Sequence, residues 1–445
     1  MSSQLGWTQV SKAWNAGRAS AGYTGWGDDE RPPRRARRER RARRDGSRPG
    51  SRAALALTVI AVVAVTIVSW AVTAGATPQP SPLAAATANP AAGSSGSIAA
   101  GRAHACVVLA DSTVECWGDN AGGRLGAVTA ETYSVAPVAV TGLTDVFEVT
   151  AGDDHTCALL TSGSIRCWGY GSSGQLGDGA STASTTPVGV VGITDAVAVR
   201  AGDEHTCALR ASGRVDCWGE NDYGELGDGT DTEAAAPVEV AGITNAVSIA
   251  TGGDSSCAAL ATGAVQCWGS NDYGQLGNGS GDDSNVPVGA VGLTDAVAVG
   301  LGEYHACAVR SGGEMMCWGY NYDGQLGNGT LNDSSVPVAV AALSDAVGVG
   351  AGSYGTCALT DTGAVRCWGQ AYRGQLGNGS VDGLSTIPTP VTGIGDAVAL
   401  AVGSTHRCVV RADGNVWCWG ESSSGQAGEG LPSPIATPRV VDGIG

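Results

Sequence analysis

The sequence contains little of what a helical domain is built from. Its 445 residues include one phenylalanine and three methionines, and charged residues make up only 15% of the chain. Glycine, by contrast, is abundant at 70 residues and is accompanied by 17 prolines. Few charges and many turn-forming residues favour a β-rich fold with tight turns over a helical bundle.

Motifs that mark common catalytic sites are missing as well. The sequence has no G-x-S-x-G, no H-E-x-x-H and no G-x-x-x-x-G-K-[ST]. Its five histidines share one position, two residues before the first cysteine of a repeated unit, which indicates a structural role: His104, His155, His205, His305 and His406. We therefore expect no enzymatic activity, no catalytic residue and no cofactor.

Charge is divided unevenly along the chain. Residues 1–52 hold 13 of the 25 basic and 5 of the 42 acidic residues, which leaves 12 basic and 37 acidic residues in the remainder. Two parts of opposite charge are expected to face different surroundings. Arginine greatly outnumbers lysine, which occurs only as Lys12, and this usage is typical of a GC-rich bacterial source.

An uncharged apolar segment separates these two parts. It runs over 53–76, long enough to span a bilayer as one helix, and arginines crowd the sequence directly before it. The positive-inside rule then predicts a single-pass membrane protein with residues 1–52 disordered in the cytoplasm and the rest outside. Cleavage after a signal peptide near Ala76 is the alternative, because Ala74-Gly75-Ala76 has small residues at the required spacing.

A Pro/Ala/Ser/Gly-rich spacer over 77–96 leads into seven repeats that occupy 97–445. The first cysteines of successive units lie 50 or 51 residues apart, and each unit contains four short β segments, designated A, B, C and D. This predicts an all-β, seven-bladed β-propeller. The chain enters in a shortened A strand and stops in a D strand, as expected if pairing of the termini closes the ring.

The units resemble the regulator of chromosome condensation repeat family. Trp-Gly occurs in all seven units, and Gly-Gln-Leu-Gly occurs in four with near matches in the others. The resemblance covers 97–445 and implies the family's seven-bladed propeller. It extends to secreted bacterial members that inhibit β-lactamase, whereas nucleotide exchange on a small GTPase at chromatin does not fit an anchored, cysteine-rich chain.

The 14 cysteines form seven pairs with members ten positions apart. A three-residue B–C loop ending in glycine places the two cysteines of a pair opposite each other, which predicts disulfide bonds rather than metal sites in an oxidising compartment. Only the first unit replaces that glycine, with Ser112. The predicted pairs are Cys106–Cys116, Cys157–Cys167, Cys207–Cys217, Cys257–Cys267, Cys307–Cys317, Cys357–Cys367 and Cys408–Cys418.

Tyrosines concentrate in the loops expected on one face of the propeller, the A–B turns and C–D loops. Tyr133 and eight others lie there, together with acidic residues of the A–B turns. Tyrosine offers a large contact area with few rotatable bonds, which suits protein recognition. The predicted partner-contacting residues are Asp153, Asp154, Tyr170, Asp203, Glu204, Tyr223, Asp254, Tyr273, Glu303, Tyr304, Tyr320, Tyr322, Tyr354 and Tyr372.

The hypothesis that follows is an extracellular protein-binding scaffold that uses this face. The expected partner is a basic protein, with no nucleic acid involved. Two alternatives stay open: a structural or adhesive envelope protein that binds wall glycan, and a secreted-enzyme inhibitor like the β-lactamase-inhibiting propellers. The tryptophans recur once per unit and are expected to pack between blades.

Overall fold

The computed structural model describes residues 97–127, 131–428, 430 and 433–444. They form 28 β-strands in seven four-stranded antiparallel sheets, with one 3-10 turn, η1 (Ala121–Gly123). The predicted cytoplasmic segment, membrane helix and spacer lie outside these residues. Within the described ranges, no helix has the length and apolar character needed to cross a membrane.

Each sheet is one blade, and each blade takes its strands A, B, C and D from consecutive sequence. The strands of blades 1–4 are β1 (Ile98–Ala100), β2 (His104–Val108), β3 (Val114–Asp119), β4 (Tyr133–Ala139), β5 (Val146–Ala151), β6 (His155–Leu160), β7 (Ile165–Gly169), β8 (Ser184–Gly189), β9 (Ala196–Ala201), β10 (His205–Arg210), β11 (Val215–Gly219), β12 (Ala234–Glu239), β13 (Ala246–Thr251), β14 (Ser255–Leu260), β15 (Val265–Gly269) and β16 (Ser284–Gly289).

Blades 5–7 follow the same order. Their strands are β17 (Ala296–Leu301), β18 (His305–Arg310), β19 (Met315–Gly319), β20 (Ser334–Ala339), β21 (Ala346–Ala351), β22 (Gly355–Thr360), β23 (Val365–Gln370), β24 (Leu384–Pro390), β25 (Ala397–Val402), β26 (His406–Arg411), β27 (Val416–Gly420) and β28 (Ile435–Val440). The predicted seven-bladed architecture is confirmed. Each D strand was predicted from a repeated Pro-Val pair, which is Pro-Arg in blade 7, but every D strand begins three or more residues before that proline.

The ring does not close as the sequence suggested. The first strand, β1, pairs with β2, and the last, β28, pairs with β27, so the termini are not joined in one sheet. Blade 7 instead packs against blade 1, and Trp117 of blade 1 donates its indole N–H to the carbonyl of Gln426 at 3.1 Å. The prediction of closure by pairing of the termini is therefore wrong, because each blade is complete within its own repeat.

Glycines at the inner ends of the A strands allow the blades to approach closely around the axis. A Cβ on any one of them would overlap the carbonyl oxygen of the equivalent glycine in the next blade, and Gly403 meets Gly101 in the same way across the closure. The seven glycines are Gly101, Gly152, Gly202, Gly252, Gly302, Gly352 and Gly403. Because all seven blade interfaces have this same contact, the ring closes without pairing of strands from the two ends of the chain.

The core lies between neighbouring blades. Strand B is buried over nearly its whole length on both faces, which fits its small and apolar side chains. The seven Trp-Gly tryptophans are fully buried, and each donates its indole N–H to a carbonyl of the preceding blade at 2.8–3.1 Å. Their predicted role in packing between blades is confirmed.

The B–C hairpins have the predicted register. In blade 2, Cys157 lies opposite Cys167, and the amide of Gly163, with φ +81°, donates to the carbonyl of Leu160. All seven predicted disulfides are present, and no cysteine of the described chain is free. Ser112 takes the same left-handed conformation as the glycines, with φ +64°.

Candidate functional site

The connections between strands divide into two faces. Backbone hydrogen bonds link A–B turns to C–D loops, as from the amide of Tyr170 to the carbonyl of Asp154 at 2.8 Å. Others link B–C turns to D–A connections, as from Thr161 to Asp145. We call the first the loop face and the second the turn face. The predicted division of the connections between two faces is confirmed.

Four tyrosines of blades 4 and 5 form a cluster on the loop face. Tyr320 lies at the centre, with ring centroids 5.0 Å from Tyr273, 6.0 Å from Tyr304 and 6.5 Å from Tyr322. The first two contacts are edge-to-face, a geometry that aromatic quadrupoles favour. Tyr322 exposes 70% of its surface and Tyr273 39%, while the Tyr304 hydroxyl donates to Glu303. We call these four rings the tyrosine cluster.

Burial and nearby charge affect the chemistry of the cluster. Burial, followed by the Asp323 carboxylate and the Tyr273 hydroxyl, raises the pKa of Tyr320 above its usual value. The central ring therefore stays neutral at physiological pH. A neutral, edge-packed aromatic group presents a rigid apolar surface with hydroxyls at its margin.

The other predicted tyrosines lie around this cluster or away from it. Tyr372, in blade 6, is 58% exposed and Tyr170, in blade 2, is 40% exposed, whereas Tyr223 and Tyr354 are half-buried. Tyr133 is the first residue of β4 and pairs with Asp119, so it belongs to a strand instead of a loop. The structure brings the aromatic rings of four predicted tyrosines into contact, and the other predicted tyrosines lie on other blades of the propeller.

Most of the predicted acidic residues have partners within the protein. Asp153 and Asp203 are more than nine-tenths buried at the mouth of the central channel. Asp154 forms an ion pair with Arg124 at 2.8 Å, and Glu204 accepts a hydrogen bond of 2.6 Å from Ser173. Among the predicted residues of this face, the exposed ones are tyrosines, whereas the carboxylates are buried or half-buried.

The A strands enclose a central channel with a cavity of about 270 Å³. Its lining is mainly alanine, glycine and valine, as expected where seven strands crowd around one axis. Arg200 and Glu148 form an ion pair of 2.6 Å in this wall. The lining offers no convergent set of nucleophile and base in the described part of the chain.

The five histidines belong to the interfaces between blades. In four of them Nε2 bonds a hydroxyl of the next blade, and that hydroxyl donates to the carbonyl that also accepts the tryptophan N–H, as Thr156 does to Arg124. Since the hydroxyl proton is used, the ring nitrogen is the donor. The pairs are His104–Thr156, His155–Thr206, His205–Ser256 and His305–Thr356, at 2.7–2.9 Å.

Where the histidine is missing, the facing residue changes with it. Ser255 is followed in the next blade by Ala306, which has no hydroxyl to satisfy. Gly355 leaves room for Arg407, which is fully buried and donates to the carbonyls of Gly403 and His406. Burial lowers the pKa of Arg407 to about 9. The histidines are thus structural, as the sequence indicated.

Sequence reasoning missed a group of carboxylates between blades 3 and 4. Glu220 and Glu225 of a C–D loop and Asp254 of the next A–B turn place carboxylate oxygens within 4.8 Å of one another. Burial, followed by Asp254 and Glu220, raises the pKa of Glu225 well above its usual range. The signal was present in the sequence, because Glu225 replaces the glutamine of the Gly-Gln-Leu-Gly motif.

Comparison with known proteins gives matches over most of the propeller. Residues 192–444 match the RCC1-like domain, and two regulator of chromosome condensation (RCC1) repeat descriptions match 97–124 with 148–175, and 113–159 with 162–209. The ultraviolet-B receptor UVR8 of Arabidopsis thaliana is 36% identical over 88 residues, 19% of this chain. The chain thus matches about a fifth of the length of that relative.

Solved structures share the architecture. Human WBSCR16 superposes with a TM-score of 0.65 at 26% identity, over 71% of this chain and 86% of that one. Yeast RCC1 (Prp20), in its complex with Kap60, gives a TM-score of 0.68 at 19% identity, over 83% and 89% of the two chains. Prp20p of Saccharomyces cerevisiae, studied for its binding to Gsp1p and histones, gives 0.67 at 22% identity, over 79% and 88%.

Proposed function

The chain belongs to the family of proteins with an RCC1-like domain, and we propose that it is a protein-binding scaffold that uses its loop face. Propellers of this fold bind proteins, since Prp20 is found with Kap60 and has binding properties toward Gsp1p and histones. The proposal for this chain rests on its own surface. It assigns no enzymatic activity to the protein.

The tyrosine cluster is the observation that carries the proposal. Its outermost ring, Tyr322, is 70% exposed and stacks on Tyr320, which is held edge-on by Tyr273. Binding energy at protein interfaces concentrates in a few rigid aromatic residues surrounded by weaker contacts. Rings that are already packed against each other lose little conformational freedom on binding, so less of the interaction energy is spent on ordering them.

The charge of the propeller indicates the kind of partner. Residues 53–445 hold 12 basic and 37 acidic residues, and Glu303 lies within the cluster through its bond with Tyr304. The negative net charge of the propeller would attract a partner with a basic surface. The rate of association would then fall as salt is added. We propose a basic protein as the partner.

We propose further that the propeller functions outside the cell, held by a membrane segment over 53–76. Seven disulfides support an oxidising compartment. Protease added to intact cells should then remove the propeller and leave residues 1–52 protected. A propeller that survives protease while a surface control protein is digested would contradict this location.

A photo-crosslinking amino acid tests which face meets the partner. Placed at Tyr322 in the full chain, it should form a covalent adduct with one protein in the native cells. The control position is Arg214, whose side chain is 52% exposed on the turn face. Adducts formed from Arg214 but not from Tyr322 would place the interface on the other side. Adducts with glycan alone would favour an adhesive role instead.

A further inference from the structure

The carboxylate group between blades 3 and 4 has the geometry of a metal site. Glu220 is 2% exposed and Glu225 is 1% exposed, while Asp254 is half-buried and leaves a path to solvent. Their nearest oxygens lie within 4.8 Å of one another. Two oxygens on opposite sides of a Ca²⁺ ion are about 4.6–5.2 Å apart, so all three carboxylates fit one coordination shell.

The equivalent positions at another blade interface hold a protein cation. Between blades 1 and 2, the residues at the equivalent positions are Asp119, Arg124 and Asp154. There the Arg124 guanidinium lies 2.8 Å from Asp154 and 3.8 Å from Asp119 and supplies a cation between two carboxylates. Between blades 3 and 4 the same two acidic positions recur, but the arginine position holds a third carboxylate, Glu225.

One carboxylate oxygen of Glu225 is buried and has no hydrogen-bond partner. Its Oε2 accepts a bond of 3.0 Å from the amide of Tyr223, which fixes the carboxyl in place. Its Oε1 is buried and accepts no hydrogen bond, and an oxygen of the same carboxyl group lies within 4.8 Å of oxygens of Glu220 and Asp254. A buried acceptor left unsatisfied is costly, and a cation in this position would satisfy it.

We propose that Glu220, Glu225 and Asp254 bind a divalent cation, with Ca²⁺ the best fit, and that the ion joins blades 3 and 4 as Arg124 joins blades 1 and 2. Hard cations prefer carboxylate oxygens, and Ca²⁺ accepts several of them, whereas Mg²⁺ keeps most of its water. This site is independent of the tyrosine cluster. It adds a structural ion to the propeller rather than a second binding face.

Calorimetric titration of the EDTA-treated full chain with Ca²⁺, together with thermal unfolding, tests the proposal. The wild-type protein should bind one Ca²⁺ and unfold at a higher temperature with it, and Mg²⁺ should bind at least tenfold more weakly. E225Q restores the glutamine of other blades, so it should fold normally and weaken Ca²⁺ binding at least tenfold. The matched control, E314Q, removes an exposed carboxylate on the turn face and should bind as wild type.

A second variant makes the comparison sharper. E225R recreates the Asp119–Arg124–Asp154 arrangement, so it should bind no Ca²⁺ and should unfold in EDTA at or above the temperature of Ca²⁺-loaded wild type. If wild type unfolds at the same temperature in Ca²⁺ and in EDTA, the proposal is overturned. A proton shared between the carboxylates would then explain their proximity. Equal Ca²⁺ affinity in wild type and E225Q would also overturn it, because the ion would then bind elsewhere.

Discussion

At most blade interfaces, the residue at the histidine position is complementary to the residue that faces it in the next blade. His205 faces Ser256, Ser255 faces Ala306 and Gly355 makes room for Arg407. The regular position of the histidines predicted a structural role, and that much could be derived from one sequence. The hydroxyl partners lie 51 or 52 residues away. No local pattern joins residues at that separation until the packing of the blades is known.

Burial of these histidines makes stability depend on pH. It lowers the pKa of His155, His305 and His406 to about 3 and that of His205 to about 4, against 6.5 in the unfolded chain. Below pH 6.5 the unfolded state therefore binds more protons, and the free energy of unfolding falls as pH decreases toward 4. Each of these four histidines should lower the free energy of unfolding at pH 5 by roughly 2 kcal/mol relative to its value at pH 7.5.

Thermal unfolding at pH 7.5 and pH 5 measures this effect. The double variant H205S/S256A copies the natural Ser255–Ala306 pair and removes one titrating ring. It should lose less stability than wild type between the two pH values. An unchanged pH dependence in that variant would mean that other groups cause the acid sensitivity.

Among the elements, the B–C hairpin was the best predicted. The ten-residue cysteine spacing and the glycine at the end of a three-residue loop determine its register, and both signals are local. The D strands were predicted less well. They contain a β-bulge opposite strand C, so their first residues pair with the end of strand C beyond the bulge. A bulge is a property of two strands, which the Pro-Val motif alone does not encode.

Removal of one disulfide should destabilise the propeller measurably. Each bond closes a short hairpin, for which the chain-entropy estimate gives roughly 2–3 kcal/mol. C207A/C217A should therefore lower the midpoint of denaturant unfolding under oxidising conditions. The difference from wild type should shrink once both proteins are reduced, and a difference of the same size after reduction would assign it to lost packing of sulfur.

For the molecule as a whole, the sequence analysis predicted a closed ring but gave the wrong mechanism of closure. The arrangement of strands at the two ends suggested strand pairing, but blade 7 meets blade 1 as an ordinary blade interface. The carboxylate site was missed for a related reason. Asp254 is 29 residues from Glu225 in the sequence, and only the contact between two blades brings them together. Such contacts follow from assembly of the ring rather than from any one repeat.

The closing interface lacks, at one position, a hydrogen bond that four other blade interfaces have. His406 has no hydroxyl to bond, because Ala105 occupies the place that threonine or serine holds opposite four other histidines. A105T should supply the hydroxyl and raise the free energy of unfolding by about 1 kcal/mol. Urea unfolding measures the change, and A306T is the control because Ser255 offers no imidazole to that hydroxyl. Equal effects from both variants would argue against a bond with His406.

Recognition through the loop face is the central claim, and the affinity of purified partner for tyrosine variants tests it most directly. Tyr304→Ala and Tyr322→Ala should each weaken binding by about 2 kcal/mol, or roughly thirtyfold, with little change in unfolding temperature. Arg214→Ala, on the turn face, should leave the Kd unchanged. Equal losses from both faces, or a loss from Arg214→Ala alone, would contradict the account.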